Sequence, residues 1–248
     1  MDPIKLFLTL ILGTSLCAGY SQKAIEVKHF DKAIISPFIS VTFVEGTEEM
    51  VAIENCTIDH QMVNIEVNGT TLRIYLDGAK EIPNVDLNSM TKGETEKYPD
   101  YHGTVLKATV TYKSLTDVSI RGEEPQVFKS TLKGNDFRLK VYGTSEVTFK
   151  EVDLDEFHAI YYGDGSLNML AGRIGFQQYT VYGTGTINAL DINGNSGKIT
   201  AYGEADFYVN VSGQLKINAI GESSLYYKGD PLVSKGIQIG EMKISKLK

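Results

Sequence analysis

Tyrosines that stand directly before a repeated glycine are the residues with the clearest capacity for binding chemistry. The glycines recur at a constant interval that shortens slightly at the end of the series, as Gly143, Gly163, Gly183, Gly203 and Gly221. A tyrosine ring offers a large apolar surface and one hydroxyl group, and a row of exposed rings suits sugar rings or peptide side chains. We name this row the tyrosine stripe and predict that it binds a ligand; its members are Tyr142, Tyr162, Tyr182 and Tyr202.

A structural role for the tyrosine stripe is the alternative interpretation. Aromatic rings that stack along parallel strands also stabilise a sheet in the absence of any ligand. A bend at each glycine would moreover reverse the alternation of side chains and bury the rings. The fifth repeat carries Ile220 at the same position, so the stripe has four members, and both interpretations stay open on the sequence alone.

Acidic side chains form a second set of candidates. Cleavage of a polysaccharide needs two carboxylates at a defined separation, and a calcium site needs six or more oxygen ligands. Neither arrangement can be assembled from the sequence, so we assign no catalytic residue and interpret these acids as solvated surface groups of a chain with net charge −7. They fall into two groups: Asp164, Glu204 and Glu222, which share a repeat position interrupted by Thr184, and the neighbours Asp153, Asp155 and Glu156.

Histidine and cysteine give no recognisable ligand spacing. The histidines His29, His60, His102 and His158 are scattered along the chain. None belongs to a motif such as H-E-x-x-H, which places two ligands on one side of an element. Cys56 has no adjacent histidine or second cysteine, and the sequence contains no phosphate-binding loop or nucleophile elbow. We therefore assign no metal site and no cofactor.

The positions around each glycine indicate which residues face the interior. Side chains alternate between two faces along a strand, so positions two and four residues from a glycine share one face. These positions are apolar or small in every repeat, as Leu139, Val141, Ser145 and Val147 are around Gly143. That face is the predicted interior. The tyrosine stripe, one residue before each glycine, is predicted to face outwards.

A period of about 20 residues indicates a stacked array of repeats. One coil of this length accommodates about three short strands of some 3 to 5 residues each, and equivalent strands stack in parallel about 4.8 Å apart. The sequence therefore predicts an all-β protein dominated by a parallel β-helix (β-solenoid). Gly122 is the first, imperfect member of the series, and Gly240 is its degraded last member.

The repeated segment resembles that of a known bacterial family. It reads Val141-Tyr142-Gly143-Thr144-Ser145-Glu146-Val147 in its first full copy, and the series closes with Tyr227-Lys228-Gly229-Asp230-Pro231. This pattern is similar to that of the auto-transporter adhesin family with the head GIN domain. The resemblance implies a right-handed parallel β-helix in an exported protein with an adhesive role, and it supplies no catalytic residues. The tyrosines depart from the family, which typically has a small polar residue before each glycine.

The N-terminal segment, residues 1–21, has the order of a signal peptide. Lys5 precedes an apolar run from Leu6 to Leu12, and small residues follow. The run is too short to span a bilayer, so we expect residues 1–21 to be removed on export. Cys17 offers a second interpretation, because a lipidated cysteine would anchor the protein to a membrane. Membrane attachment is expected only in that case.

The remainder divides into three segments. Residues 22–78 alternate as short β-strands, with a turn at Asn68-Gly69 that favours a hairpin over a solenoid corner. Residues 79–104 are a polar loop or linker, or alternatively a binding loop that carries Tyr98, Tyr101 and His102. Residues 105–248 are the β-helix repeats. Whether residues 22–78 form a separate hairpin domain or the first coils is open at this point.

The function predicted from these observations is non-enzymatic binding. The acidic net charge argues against nucleic acid, because a phosphate-binding protein needs a basic face. We expect an exported adhesin-like β-helix, in the periplasm, on the outer surface or secreted, that binds a glycan or a protein at the bacterial cell surface. The alternatives are a polysaccharide-acting enzyme on the same scaffold and a structural envelope protein whose coil ends stack on other copies.

Overall fold

The protein is a parallel β-solenoid of about six turns, seen in a computed structural model that describes residues 23–79 and 101–248. Within these residues, fifteen strands form one sheet, and a single short 3-10 helix spans His60–Met62. The strands, β1 to β15 in chain order, are Lys23–Glu26, Lys32–Ile35, Ile39–Glu45, Met50–Cys56, Val63–Asn68, Thr71–Leu76, Leu106–Tyr112, Asp117–Arg121, Gln126–Tyr142, Glu146–Tyr162, Ser166–Met169, Gly172–Gly183, Thr186–Gly203, Asp206–Lys228 and Leu232–Lys246.

The coils stack in the register that the spacing of the glycines predicts. Parallel pairing joins β9 to β10, β10 to β11 and β12, both of these to β13, and then β13 to β14 and β14 to β15. Tyr162, for example, lies opposite Tyr142 on one side and Tyr182 on the other. The predicted parallel β-solenoid is therefore confirmed. Gly122 and Gly240 extend the series, because they lie directly below Gly143 and above Gly221.

The prediction of three short strands in each coil is wrong. Strand β12 has 12 residues, β13 has 18 and β14 has 23. Pairing to the coils above and below continues around most corners, so the strands bend instead of ending. Register shifts, such as the one between Ala189 and Gly194, take up the extra residues at these bends, as β-bulges do.

The core is a column of apolar side chains from the alternate positions of each coil, as the sequence predicts. The residues four positions after the repeated glycines all have no exposed surface. Phenylalanine rings continue this column: Phe128 stacks on Phe43 and on Phe149, with ring centroids 4.5 and 4.1 Å apart. Burial of this kind contributes roughly 1.5–3 kcal/mol for each large side chain. The four-after positions are Val147, Leu167, Ile187, Phe207 and Leu225.

The N-terminal strands extend the same stack. Strand β2 pairs in parallel with β8, and β3 pairs in parallel with β7 and β9. Strands β5 and β6 form an antiparallel hairpin that turns at Gly69, whose φ of 61° suits glycine. The hairpin is thus present, and its strand β6 pairs in parallel with β2 at the margin of the solenoid.

Some expectations fall on residues that lie outside the described ranges. These are the signal peptide over residues 1–21, Cys17 and Tyr98. Tyr101 lies inside the described ranges and is buried. Its hydroxyl donates a hydrogen bond to the carbonyl oxygen of Asp77 (2.8 Å). The binding-loop interpretation is therefore wrong for Tyr101. No helix within 23–79 or 101–248 has the length and apolar character needed to cross a membrane.

Candidate ligand-binding stripe

Each member of the tyrosine stripe is held by the corner glycine that follows it. Gly183 has a φ of 137°, and a Cβ atom built there would lie 2.5 Å from the carbonyl oxygen of Gly163 in the coil below. Only glycine fits such a close approach of two backbones. Because the same corner recurs in every coil, the preceding residue always points outwards. The repeat therefore aligns the tyrosine rings in one column along the solenoid axis.

The rings of the tyrosine stripe form one continuous parallel stack. Neighbouring centroids are 5.0, 4.9 and 4.6 Å apart, and the planes deviate from parallel by 8°, 5° and 1°. Tyr162, Tyr182 and Tyr202 are 42%, 40% and 39% exposed, while Tyr142 is half-buried. The outward orientation predicted from alternation is present, and Ile220, 38% exposed, continues the line in the next coil.

The stack exposes ring edges and hydroxyl groups instead of ring faces. Each inner ring, Tyr162 and Tyr182, has another ring over both of its faces. A sugar therefore cannot lie flat on these two rings, contrary to the expectation of open aromatic faces. Desolvation, together with the neighbouring hydroxyls of Tyr202 and Tyr162, raises the pKa of Tyr182. The Tyr182 hydroxyl is thus protonated at neutral pH and can both donate and accept hydrogen bonds.

Two further columns of outward side chains run beside the tyrosine stripe on the same sheet. The nearer column is mostly hydrogen-bonding and the farther one is mostly basic or polar. Together with the stripe they make an extended surface along the solenoid axis. In coil order the columns are Lys140, Ile160, Thr180, Thr200 and Asn218, followed by Arg138, His158, Gln178, Lys198 and Lys216.

A groove of about 440 Å³ opens at the Tyr142 end of this surface. Strands β2, β8 and β9 supply its walls, and its basic side chains include Lys32, Arg121 and Lys140. Asp117 offsets part of this charge, since one of its oxygens lies 3.7 Å from Lys140 Nζ. Sequence reasoning missed the groove, because Lys32 is remote from the tyrosine stripe in the sequence and no local pattern links the two.

The acidic candidates Asp164, Glu204 and Glu222 are exposed. Asp164 is exposed and accepts a hydrogen bond from the backbone N–H of Thr184 (3.0 Å), and the hydrogen bonds from Thr184 hold the pKa of Asp164 below its usual range. A general acid at neutral pH needs the opposite shift. Glu204 and Glu222 line a shallow depression with Glu241, one coil further on. These acids therefore stay surface groups.

The second acidic group is divided between two basic partners. Arg173 lies 2.7 Å from Asp153 and 3.9 Å from Asp155, so it bridges both carboxylates. Glu156 instead contacts the ring of His158, Nε2 to Oε2, at 3.1 Å. The scattered histidines gave no sign of this contact in the sequence. The signal that could have found it is the alternation of side chains along a strand, which places residues two apart on the same face.

A parallel β-solenoid that presents columns of repeated side chains defines a class of proteins suited to binding along an extended surface. The chain belongs to the family described as "Putative auto-transporter adhesin, head GIN domain", whose profile matches residues 29–231. The resemblance seen in the sequence is thereby confirmed. No curated protein sequence matches the chain.

Solved structures of several bacterial proteins have the same fold. A putative adhesin from Bacteroides fragilis is 18% identical, with a TM-score of 0.73 over 91% of this chain and 96% of its own. A putative lipid binding protein from Parabacteroides distasonis is 21% identical (TM-score 0.66; 92% and 96%). A putative adhesin from Parabacteroides merdae is 20% identical (TM-score 0.64; 92% and 96%). At these identities the similarity establishes the fold alone.

Proposed function

We propose that the protein is an exported, non-enzymatic adhesin that binds an extended glycan or protein segment at the bacterial cell surface through the tyrosine stripe. The observation that carries the proposal is the exposed stack of four rings. It offers apolar edges and a row of hydroxyl groups that repeats every 4.6–5.0 Å along the solenoid axis. Tyrosine supplies large contact area and a polar tip at low entropic cost, which suits recognition.

The surroundings of the stripe favour a polymer over a small molecule. The rings lie on an open sheet face and not in a closed pocket, so a short ligand would bury little surface. A chain that runs along the solenoid axis would meet one tyrosine hydroxyl per coil, with the half-buried Thr200 beside Tyr202. Membership of a family described as adhesins supports a binding role, and so do the solved structures of the same fold that are named as adhesins.

The proposal is tested with the full chain against printed glycans and immobilised extracellular proteins, followed by affinity measurement on each hit. Replacing Tyr162 and Tyr182 together with phenylalanine keeps the ring stack and removes two hydroxyls. We expect this variant to bind about 5- to 150-fold more weakly, because each of the two lost hydrogen bonds contributes roughly 0.5–1.5 kcal/mol. Its thermal unfolding should be nearly unchanged.

The matched control is a second stacked pair, the half-buried Tyr208 and Tyr226, whose rings lie 4.9 Å apart away from the stripe. Replacing this pair with phenylalanine should leave binding intact. Failure of the wild-type chain to bind any glycan or protein probe above background would overturn the proposal. So would equal loss in the control variant. If Tyr162→Ala and Tyr182→Ala instead lower the unfolding temperature and leave binding intact, the stripe is a structural ladder.

A further inference from the structure

A cluster of three potential metal ligands lies on adjacent coils beside the tyrosine stripe, and one of the three, Asp136, lines the same groove as Tyr142. Asp136 is in β9, while Glu156 and His158 are in β10, directly opposite Asp136 and Arg138. The three side chains point outwards. Phe137, which follows Asp136, and Phe157, which separates Glu156 from His158, point inwards and are fully buried. Because these two rings pack with centroids 5.8 Å apart, the backbone beneath the cluster is held firmly in place.

The distances within the cluster match the edges of a tetrahedral ion site. His158 Nε2 lies 3.1 Å from Glu156 Oε2 and 3.6 Å from Asp136 Oδ1. Ligands bound to Zn²⁺ at about 2.0–2.1 Å in tetrahedral geometry stand about 3.3–3.4 Å apart. All three donor atoms lie within 4.8 Å of one another. An ion could therefore be accommodated by side-chain adjustments of a few tenths of an ångström at His158 and a modest closure of the carboxylates.

One carboxylate oxygen of the cluster has no hydrogen-bond partner. Arg138 Nη2 holds Asp136 Oδ2 at 2.8 Å and leaves Oδ1 to face His158, 3.6 Å from its Nε2. This Oδ1 atom is shielded from solvent, and no donor in the described part of the chain makes a hydrogen bond to it. A cation bound between Nε2 and the two carboxylates would supply the missing partner.

We propose that Asp136, Glu156 and His158 form a binding site for Zn²⁺. One imidazole nitrogen and two carboxylate oxygens suit a borderline ion, whereas Ca²⁺ and Mg²⁺ demand six or more oxygen ligands. Two negative charges neutralise the ion, and Arg138 orients the Asp136 carboxylate from the outer shell. Three protein ligands leave the fourth position open to water or to a donor atom from a bound partner.

The test is calorimetric titration of the full chain, stripped with EDTA, by ZnCl₂ and by CaCl₂. We expect one strong zinc site per chain and much weaker calcium binding. His158→Gln places at this position the residue found one coil higher, Gln178, so the fold should tolerate it. It should weaken zinc binding by more than the roughly 10- to 100-fold typical of losing an outer-shell partner. The isosteric Glu156→Gln should act in the same direction.

The matched control is His29→Gln, at a histidine that contacts a single carboxylate, Glu49 Oε1, at 2.9 Å. This variant should keep the strong zinc site. Co²⁺ in place of Zn²⁺ should give visible absorption bands of a four-coordinate ion in the wild type and not in His158→Gln. Absence of a strong zinc site in the stripped wild type would overturn the proposal. Retention of that site in both His158→Gln and Glu156→Gln would overturn it as well.

Discussion

Gly183 shows how strictly the solenoid corner restricts a single residue. Its φ is 137°, and any Cβ would collide with the backbone oxygen of Gly163. Gly183→Ala must therefore either strain the corner or separate two coils. We expect it to lower the free energy of unfolding by about 3 kcal/mol.

Chemical denaturation of this variant and of Gly69→Ala provides the comparison. Gly69 also has positive φ (61°), but a Cβ there would meet no atom within 4 Å. The hairpin substitution should cost only about 1–2 kcal/mol, the price of the left-handed conformation alone. Equal losses in the two variants would contradict the interpretation that close contact between coils, and not φ alone, selects glycine at the corner.

Two buried tyrosines should make the fold sensitive to alkali. Tyr161 and Tyr179 are fully buried, and their hydroxyls donate to the carbonyl oxygen of Ser166 (3.1 Å) and to Gln177 Oε1 (3.0 Å). Burial raises the pKa of both hydroxyls well above the usual value of about 10. Above pH 10 the unfolded chain loses these protons while the folded chain keeps them. The free energy of unfolding must therefore fall as pH rises.

Each such tyrosine contributes a slope of about 1.4 kcal/mol per pH unit above pH 10. Tyr179→Phe removes one of them, so its unfolding free energy should decline less steeply between pH 10 and 11, after a loss of about 1 kcal/mol at neutral pH for the missing hydrogen bond. Urea titrations at pH 8, 10 and 11 measure this. Tyr208→Phe, at a partly exposed ring, should change the slope little; parallel curves for wild type and Tyr179→Phe would refute the argument.

At the scale of elements, one buried amide joins the N-terminal strands to the repeats. Gln126 begins β9 and is 1% exposed. Its Oε1 accepts a hydrogen bond from the N–H of Val41 (2.9 Å), and its Nε2 donates to the carbonyl oxygens of Ile39 (2.8 Å) and Glu124 (3.1 Å). Gln126→Leu removes the partner of the Val41 N–H and of the Ile39 carbonyl, whereas the Glu124 carbonyl still accepts from the Ser145 hydroxyl (2.6 Å).

We expect Gln126→Leu to lower the free energy of unfolding by about 2–4 kcal/mol, because each unsatisfied buried group costs about 1–3 kcal/mol. The loss should be local. Hydrogen exchange should accelerate at the amides of β3 while amides of β13 keep their protection. Uniform acceleration along the whole chain would instead indicate that β3 and the repeats unfold as one unit.

Contacts between residues one repeat apart can be predicted from the sequence, whereas other contacts cannot. Tyr162 and Tyr182 are one period apart in sequence and adjacent in the stack, so their alignment follows from counting. The core positions follow from the same counting, because alternation along a strand is a local property. The cluster of Asp136, Glu156 and His158 was equally accessible to counting, but a search for short ligand motifs does not detect it.

Contacts outside the period could not be predicted. The groove joins Lys32 to Lys140 through pairing of β2 with β8 and of β8 with β9, and no repeat connects these segments. The length of the strands was misjudged for a related reason. Typical strands end at corners, whereas here each corner of β13 or β14 is flanked by equivalent coils, so hydrogen bonding continues through the bend.

At the scale of the whole molecule, β15 is a long edge of the solenoid. Among residues 23–79 and 101–248 this strand pairs with β14 alone, and almost all of its residues are exposed. An open parallel edge is a template for adding further strands. The edge carries charges that discourage such addition, at Lys235, Glu241, Lys243 and Lys246. Strand β15 therefore caps the stack, and it lies beyond the segment matched by the family profile.

Removal of residues 232–248 should increase self-association of the protein. Strand β14 would then present a 23-residue edge, and buried side chains such as Leu215 and Leu225 would lose their cover from Val233 and Ile244. Sedimentation velocity of the full chain and of the truncated chain over a range of concentrations measures the difference.

Lys235→Ser with Lys243→Ser keeps the strand and removes two charges, so it should associate less than the truncated chain and more than the wild type. A truncated chain that stays monomeric would show that β15 does not protect the stack, whereas assembly of the full chain itself would favour an envelope protein built by end-to-end stacking.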